Sequence, residues 1–80
     1  MLDWRQFIEV NPSVLQGKPV VKGTRIPVSL ILSYLAGGMG VDEILAEYPT
    51  LTKEAIYACL AYASELVDLE EVVEVGAYSG

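Results

Sequence analysis

The spacing of apolar and polar positions changes at about residue 28. Before that point the apolar residues come in short runs, such as "FIEV", "KPVVKG" and "TRIPV", which Asn11-Pro12-Ser13 and several glycines separate. Runs of this kind, bounded by turn residues, predict short strands and turns within residues 7–27. From Ser29 onward the apolar residues recur every three or four positions, which is the spacing of an α-helix.

Two short helices are predicted directly after this change. The first covers about residues 28–37, because its apolar residues share one helical stripe and Gly37-Gly38 supplies a common stop. The second covers about residues 41–48, since two acids in its first turn favour the helix dipole and Pro49 ends it. The glycine-rich connection lacks the spacing of a dinucleotide-binding loop, so we interpret it as a turn between helices.

A third, longer helix is predicted over about residues 52–68. Thr52 is expected to cap it, although position 55 is alanine and the capping box is incomplete. Its apolar residues spread over more than one face, which indicates that more than one of its surfaces is covered. Beyond Asp68 the pattern fits either a continued helix or a strand. We therefore treat residues 69–80 as an acidic tail that is flexible or ordered by a partner.

Length and composition favour a single small domain. The chain has 80 residues, 52% of them apolar, and contains no charge-free run long enough to span a membrane. A core of this size gains stability from further burial between chains, so we expect a homo-oligomer, most simply a dimer. The lone Cys59 cannot form an internal disulfide and no signal-peptide pattern opens the chain, which favours the cytoplasm.

The chemistry of the chain favours a non-catalytic role. A chain with no histidine and one cysteine cannot build a Cys/His zinc site, and no motif indicates another metal or a cofactor. The segment from Gly17 to Gly23 does not fit a phosphate-binding loop, because five residues separate the glycines and no lysine follows the second. Glu43 and Glu47 are better interpreted as a solvated helix face than as an acid-base pair.

Charge is distributed unevenly along the chain. The net charge is −6, yet residues 1–40 carry four cations against two acids, whereas residues 41–80 carry nine acids against Lys53. The second half is therefore suited to a basic partner and the first half to a polyanion.

The succession of helices and turns also fits a helix-turn-helix arrangement. The helix in the recognition position offers Lys53 against several acids, which argues against DNA contact through it. If DNA is bound, the basic residues of the strand segment are the better candidates: Lys18, Lys22 and Arg25.

Residues Trp4 to Ala63 closely resemble the domain of unknown function 433 family, small bacterial and archaeal proteins that include VapB-type antitoxins. The motifs that carry the resemblance are Gly17-Lys18-Pro19, Gly23-Thr24-Arg25-Ile26, Gly38, Glu43-Ile44-Leu45, Tyr48-Pro49 and Leu51-Thr52. The resemblance implies a short β portion followed by a homeodomain-like, helix-turn-helix-related trio of helices. One departure is Gly40, where a Ser, Thr or Asp is usual, but glycine is also an acceptable N-cap.

The resemblance further implies a non-catalytic antitoxin that binds and neutralises a PIN-like ribonuclease. Such a nuclease binds RNA through a basic surface, which acids could pair with while apolar residues fill a groove. The expected toxin contacts are Glu65, Leu66, Asp68, Leu69 and Val73. The alternatives are a DNA-binding autorepressor, acting alone or in a toxin complex, and a small interaction module of unknown role.

Arg25 has two interpretations. It can lock the strand segment to the helical body by bonding a neighbouring helix, which we favour, or it can contact a partner. The family motif residues Gly17, Pro19, Gly23, Thr24, Ile26, Tyr48 and Pro49 are expected to be structural. We also expect the segment from Gly17 to Val28 to help two chains pair.

Overall fold

The structure, a computed structural model, describes the backbone of residues 2–78 and the side chains of residues 2–68. Its elements, in chain order, are the 3-10 helix Trp4–Gln6, β1 (Ile8–Glu9), the 3-10 helix Leu15–Gly17, β2 (Val20–Val21), α1 (Val28–Ala36), α2 (Val41–Glu47) and α3 (Lys53–Tyr78). The predicted fold class is confirmed, because three helices follow a short N-terminal sheet and most of the described chain is helical.

The sheet consists of two antiparallel strands. Ile8 lies opposite Val21 and Glu9 opposite Val20. The third extended segment that the sequence predicted forms only an isolated bridge between Val20 and Pro27. Proline has no N–H to donate to a ladder, and α1 begins at the next residue, so pairing stops there.

The turn between the strands contains a 3-10 helix that the sequence pattern did not predict. Leu15 and Gln16 have φ angles of +47° and +58°, and Gly17 follows at +83°. Only glycine adopts this left-handed region without a steric cost, so two of the three residues are locally unfavourable there. Leucine and glutamine rarely adopt a positive φ, so a sequence pattern does not predict this conformation at Leu15 and Gln16.

Helix α1 ends in a Schellman motif at the glycine pair. Gly38 has a φ of +98°. Its N–H donates to the Leu35 carbonyl at 3.0 Å, and the Met39 N–H donates to the Tyr34 carbonyl at 3.0 Å. Both bonds satisfy carbonyls that the helix leaves without partners, which explains the stop that Gly37-Gly38 predicted.

The two remaining helices begin with different caps. At α2 the backbone N–H of Gly40 donates to Glu43 Oε1 at 2.9 Å, which is the half of a capping box that a glycine can make. At α3 the Thr52 hydroxyl accepts a hydrogen bond from the Ala55 N–H at 3.1 Å, as the sequence predicted.

Helix α3 continues to Tyr78, ten residues past the expected boundary at residue 68. Of the two alternatives for this segment, the backbone takes the helix. Leucine and glutamate are good helix formers and no glycine or proline interrupts residues 69–75, so local preference is compatible with continuation.

The core lies between the three helices and one face of the sheet. Ile31, Ile44, Ile56 and Cys59 are fully buried, one or two from each helix, and Ile8 and Val21 close the core from the sheet. Burial of one such isoleucine stabilises the fold by about 1.5–3 kcal/mol, so each helix is held chiefly by its apolar stripe. Within the described residues, no helix combines the length and apolar character that crossing a membrane requires.

Candidate functional site

The Gly23-Thr24-Arg25-Ile26 motif forms a tight turn after β2. The Thr24 N–H donates to the Val21 carbonyl at 3.0 Å. Gly23, the third residue of this turn, has a φ of +79°, as a type II turn requires at that position. The glycine of this motif, Gly23, is therefore explained by backbone geometry.

Thr24 fixes the turn with its side chain. Its hydroxyl donates to the Val21 carbonyl at 2.7 Å and accepts from the Ile26 N–H at 3.0 Å. The Val21 N–H in turn donates to the Ile26 carbonyl at 2.9 Å, so the chain folds back beside β2 before α1 begins. Pro19 supports the same connection, because its carbonyl accepts from the Val28 N–H at 3.0 Å.

Arg25 does not make the intramolecular lock that we expected. Its side chain is exposed, and among the described residues it has neither a hydrogen bond nor an ion pair. Thr24 holds the segment instead, through bonds that span only a few residues. The arginine is thereby left to solvent, which is compatible with the partner-contact interpretation.

The two lysines proposed for nucleic-acid contact lie in different settings. Lys22 Nζ donates to the Arg5 carbonyl at 3.2 Å, and its backbone N–H donates to Phe7, so it ties β2 to the N-terminal segment. Lys18 is exposed and lines an apolar groove described below. Lys18 and Lys22 thus lie in different surroundings and share no intramolecular partner among the described residues.

The N-terminal 3-10 helix is anchored on α3 by Trp4. The ring of Trp4 meets Tyr62 edge to face, with centroids 4.7 Å apart and planes at 78°. Its indole N–H donates to the Glu65 carboxylate. Arg5 lies 4.5 Å over the Trp4 ring and 3.6 Å from Glu65, which adds a cation-π contact and an ion pair.

This anchor changes the role of Glu65. The sequence placed Glu65 among the toxin contacts, whereas the structure engages its carboxylate with Trp4 and Arg5 of the same chain. The sequence missed Trp4 as the partner because the two residues are 61 positions apart. The one feature of the sequence that points to such an anchor is that the single tryptophan of the chain lies next to an arginine, at positions 4 and 5.

An apolar groove of about 510 Å³ runs along α3 beside α1 and the residues before β2. Leu66, at 45% exposure, is the most exposed apolar residue of the groove. Cys59, Tyr62 and Leu66 follow one another at spacings of three and four, so they share one stripe of α3. The N-terminal part of this stripe faces the core, and Leu66 continues it. The apolar residues that line the groove are Pro19, Val28, Leu32, Tyr62, Ala63 and Leu66.

The other expected toxin contacts lie beside or beyond this groove. Asp68 is exposed on α3. The side chains of Leu69 and Val73 lie outside the described residues, although the helical backbone passes through both positions.

Tyr48 and Pro49 of the family motif mark the end of α2. The hydroxyls of Tyr34 and Tyr48 are hydrogen-bonded at 3.0 Å, which joins α1 to the end of α2. This hydrogen bond is the main cause of a raised pKa at Tyr34. Pro49 lies in the turn that leads to Leu51, a core residue. The pair therefore has a structural role.

The remaining chemistry of the described residues is limited. Cys59 is buried, and burial raises the pKa of its thiol to about 11, so the nucleophilic thiolate is scarce at neutral pH. Residues 2–68 contain no cluster of three or more acidic, cysteine or histidine side chains that could hold a metal ion.

Sequence and structure comparisons identify the family. The profile of the family described as "Protein of unknown function (DUF433)" matches residues 8–63. The chain belongs to the DUF433 family. The matched region of this DUF433 protein contains both strands, α1, α2 and the first part of α3, including Tyr62.

Two relatives show how far the similarity extends. An uncharacterized protein of Sinorhizobium fredii, named y4eO, is 37% identical over 59 residues, which cover 74% of this chain and 27% of the relative. The crystal structure of a DUF433 member from Anabaena variabilis is 36% identical, with a TM-score of 0.69 over 79% of this chain and 65% of that one. The chain thus spans about a quarter of the curated relative.

Proposed function

We propose that this DUF433 protein is a non-catalytic antitoxin that binds and neutralises a PIN-like ribonuclease. The observation that carries the proposal is the exposure of Leu66 on the core-facing stripe of α3, beside an apolar groove. A stripe that buries Cys59 within the domain and then leaves Leu66 exposed is typical of a surface that a partner covers.

The shape of this surface suits a helix or an extended segment of the partner. The groove is open, and its floor is apolar from Pro19 to Leu66. Because Leu66 is 45% exposed, burial of its remaining surface would contribute about 0.7–1.4 kcal/mol, which corresponds to roughly a threefold to tenfold gain in affinity.

Charge favours a basic partner. Beyond Leu66 the chain carries Asp68, Glu70, Glu71 and Glu74 and no cation. A nuclease that binds RNA needs a basic surface around its acidic centre, and opposite charges steer the two proteins together. The apolar groove would then supply most of the binding affinity, and the acidic end of α3 would raise the association rate and the specificity for a basic partner.

The direct test uses the product of the neighbouring gene, if that gene encodes a PIN-like ribonuclease. The two proteins are co-purified, and cleavage of a fluorogenic RNA is measured with and without this chain. We expect a stable complex and loss of cleavage. Leu66→Glu should weaken neutralisation at least about tenfold, because it places a charge where an apolar side chain is buried.

Matched variants make the test specific. Val10→Glu changes the most exposed large apolar side chain among the described residues, at 56% exposure, and should neutralise normally. A chain that ends at Asp68 retains every described side-chain contact, including that of Glu65, and should bind more slowly and with a weaker salt dependence. Unchanged neutralisation by Leu66→Glu would contradict the proposed surface, and absence of a complex would contradict the antitoxin role.

The alternative proposal is a DNA-binding autorepressor. It is supported by the exposure of Arg25 and by its having no partner among the described residues. Arg25→Ala should then leave the melting temperature unchanged and lower promoter binding, with a salt slope reduced by about one per contact. Binding that is absent at about 50 mM salt would exclude this role for the protein alone.

A further inference from the structure

Helix α3 carries a second apolar stripe on the side that faces away from the core. Tyr57, Leu60 and Val67 are 47%, 43% and 49% exposed. With the exposed Ser64 between them, they recur at spacings of three, four and three, which is the a/d spacing of a helix-helix seam. This stripe uses other residues of α3 than the Leu66 groove does, and consecutive residues such as Leu66 and Val67 point about 100° apart around the helix.

We infer that this outer stripe pairs two copies of the chain through an antiparallel contact between their α3 helices. The same spacing continues N-terminally to Lys53 and C-terminally to Glu71 and Glu74. In the sequence, this repeat therefore runs from a cation through apolar residues to acids. Only an antiparallel neighbour with the same sequence brings the cation of each helix to the acids of the other.

The centre of the stripe identifies the position of the two-fold axis. The midpoint between Lys53 and Glu74 and the midpoint between Leu60 and Val67 both fall between positions 63 and 64. An axis beside Ser64 therefore places Leu60 of each copy near Val67 of the second copy. Serine at the centre is small, which lets two helices approach closely. The contact is self-complementary, as an isologous dimer requires.

A second copy is a better occupant than an unrelated partner for this stripe, because its charges match themselves in register. The apolar residues of the stripe differ from those of the toxin groove, whereas Glu71 and Glu74 belong to both charge patterns. Substitutions at Leu60 or Val67 on one side and at Leu66 on the other therefore separate dimerisation from toxin binding.

The first test measures the mass of the full chain in solution by light scattering and analytical ultracentrifugation. We expect twice the 8.7 kDa mass of the chain. Leu60→Glu and Val67→Glu should raise the dimer dissociation constant at least about tenfold while circular dichroism stays that of a folded helical domain. Val10→Glu and Leu66→Glu are the controls and should remain dimeric.

The second test examines direction and register. Lys53→Glu should weaken the dimer, and the added change Glu74→Lys should restore it. Ser64→Cys should give a disulfide-linked dimer on mild oxidation, whereas Ala46→Cys, on the exposed surface of α2, should not. Cys59 is buried and does not compete.

A monomer at high concentration would overturn the inference. So would a dimer that tolerates both Leu60→Glu and Val67→Glu, because pairing would then use another surface, such as the segment from Gly17 to Val28. Neither result depends on whether a ribonuclease is bound, so failure of this inference and failure of the antitoxin role are distinguishable.

Discussion

The indole N–H of Trp4 donates a hydrogen bond to the carboxylate of Glu65, 61 positions further along the chain. Together with the edge-to-face contact between Trp4 and Tyr62, this bond holds the first described element of the protein on the middle of α3. Glu65 therefore supports the fold, and the proposed toxin surface begins with Leu66.

The Trp4 anchor can be tested by removing its donor alone. Trp4→Phe keeps most of the ring contact but loses the hydrogen bond, so we expect the free energy of unfolding in urea to fall by about 1 kcal/mol. Glu65→Gln keeps an acceptor oxygen and should cost less, because the ion pair to Arg5 is largely exposed. Asp68→Asn is the control. A Trp4→Phe protein as stable as the unmodified chain would contradict the anchor.

Thr24 should be more important for stability than Arg25. Thr24→Val keeps the shape of the side chain but removes the hydroxyl that bonds the Val21 carbonyl and the Ile26 N–H. We expect Thr24→Val to lower the free energy of unfolding by about 1–2 kcal/mol. Thr24→Ser keeps the hydroxyl and should keep most of the stability of the unmodified chain. Equal stability of the valine and serine variants would show that the hydroxyl does not hold the turn.

The Tyr34–Tyr48 pair should make stability depend on alkaline pH. The hydrogen bond to Tyr48 raises the pKa of Tyr34, so the folded state holds this proton more tightly than the unfolded chain does. The corresponding stability is fully present below about pH 10 and is lost as pH rises through the raised pKa.

Melting temperatures measured from pH 7 to 11.5 test this dependence. Tyr34→Phe should melt lower than the unmodified chain at pH 7 and lose less stability above about pH 10. Both proteins contain Cys59, so the alkaline contribution of its thiol cancels in the comparison. Tyr57→Phe, at an exposed tyrosine, should follow the unmodified chain. Parallel pH profiles for Tyr34→Phe and the unmodified chain would contradict the assignment.

Cys59 should be chemically protected in the folded protein. It is fully buried, and burial raises its pKa to about 11, so labelling by a thiol reagent at pH 8 should be limited by opening of the domain. The rate should increase sharply in denaturing urea. Fast labelling of the native protein, at the rate of a free thiol, would contradict the packing of α3 against the core.

The helical part of the fold was accessible from the sequence because its signals are local. Gly37-Gly38 stops α1 through a backbone conformation that glycine favours, and Thr52 caps α3 with its own hydroxyl. These residues act on neighbours within a few positions. A pattern of single residues is sufficient to predict such effects.

The site was less accessible because it depends on contacts between distant positions. No local pattern joins Trp4 to Glu65, so the acid was grouped with its exposed neighbours. Arg25 was expected to bond a helix because arginine has many donors, yet the shorter Thr24 satisfies the nearby backbone groups. Beyond Asp68 two periodicities coexist, and the choice of a helix to Tyr78 was not determined by sequence spacing alone.

The position of the Trp4 anchor has a consequence for the order of assembly during synthesis. Residues 2–9 are synthesised before α3, so the surface that receives Trp4 is made only when Tyr62 and Glu65 have been added. At a translation rate of about 5–20 residues per second, the N-terminal segment waits for roughly 3–12 seconds without its docking surface. The turn at Thr24 has local bonds and can form in that interval, whereas the Trp4 contact has to wait for α3.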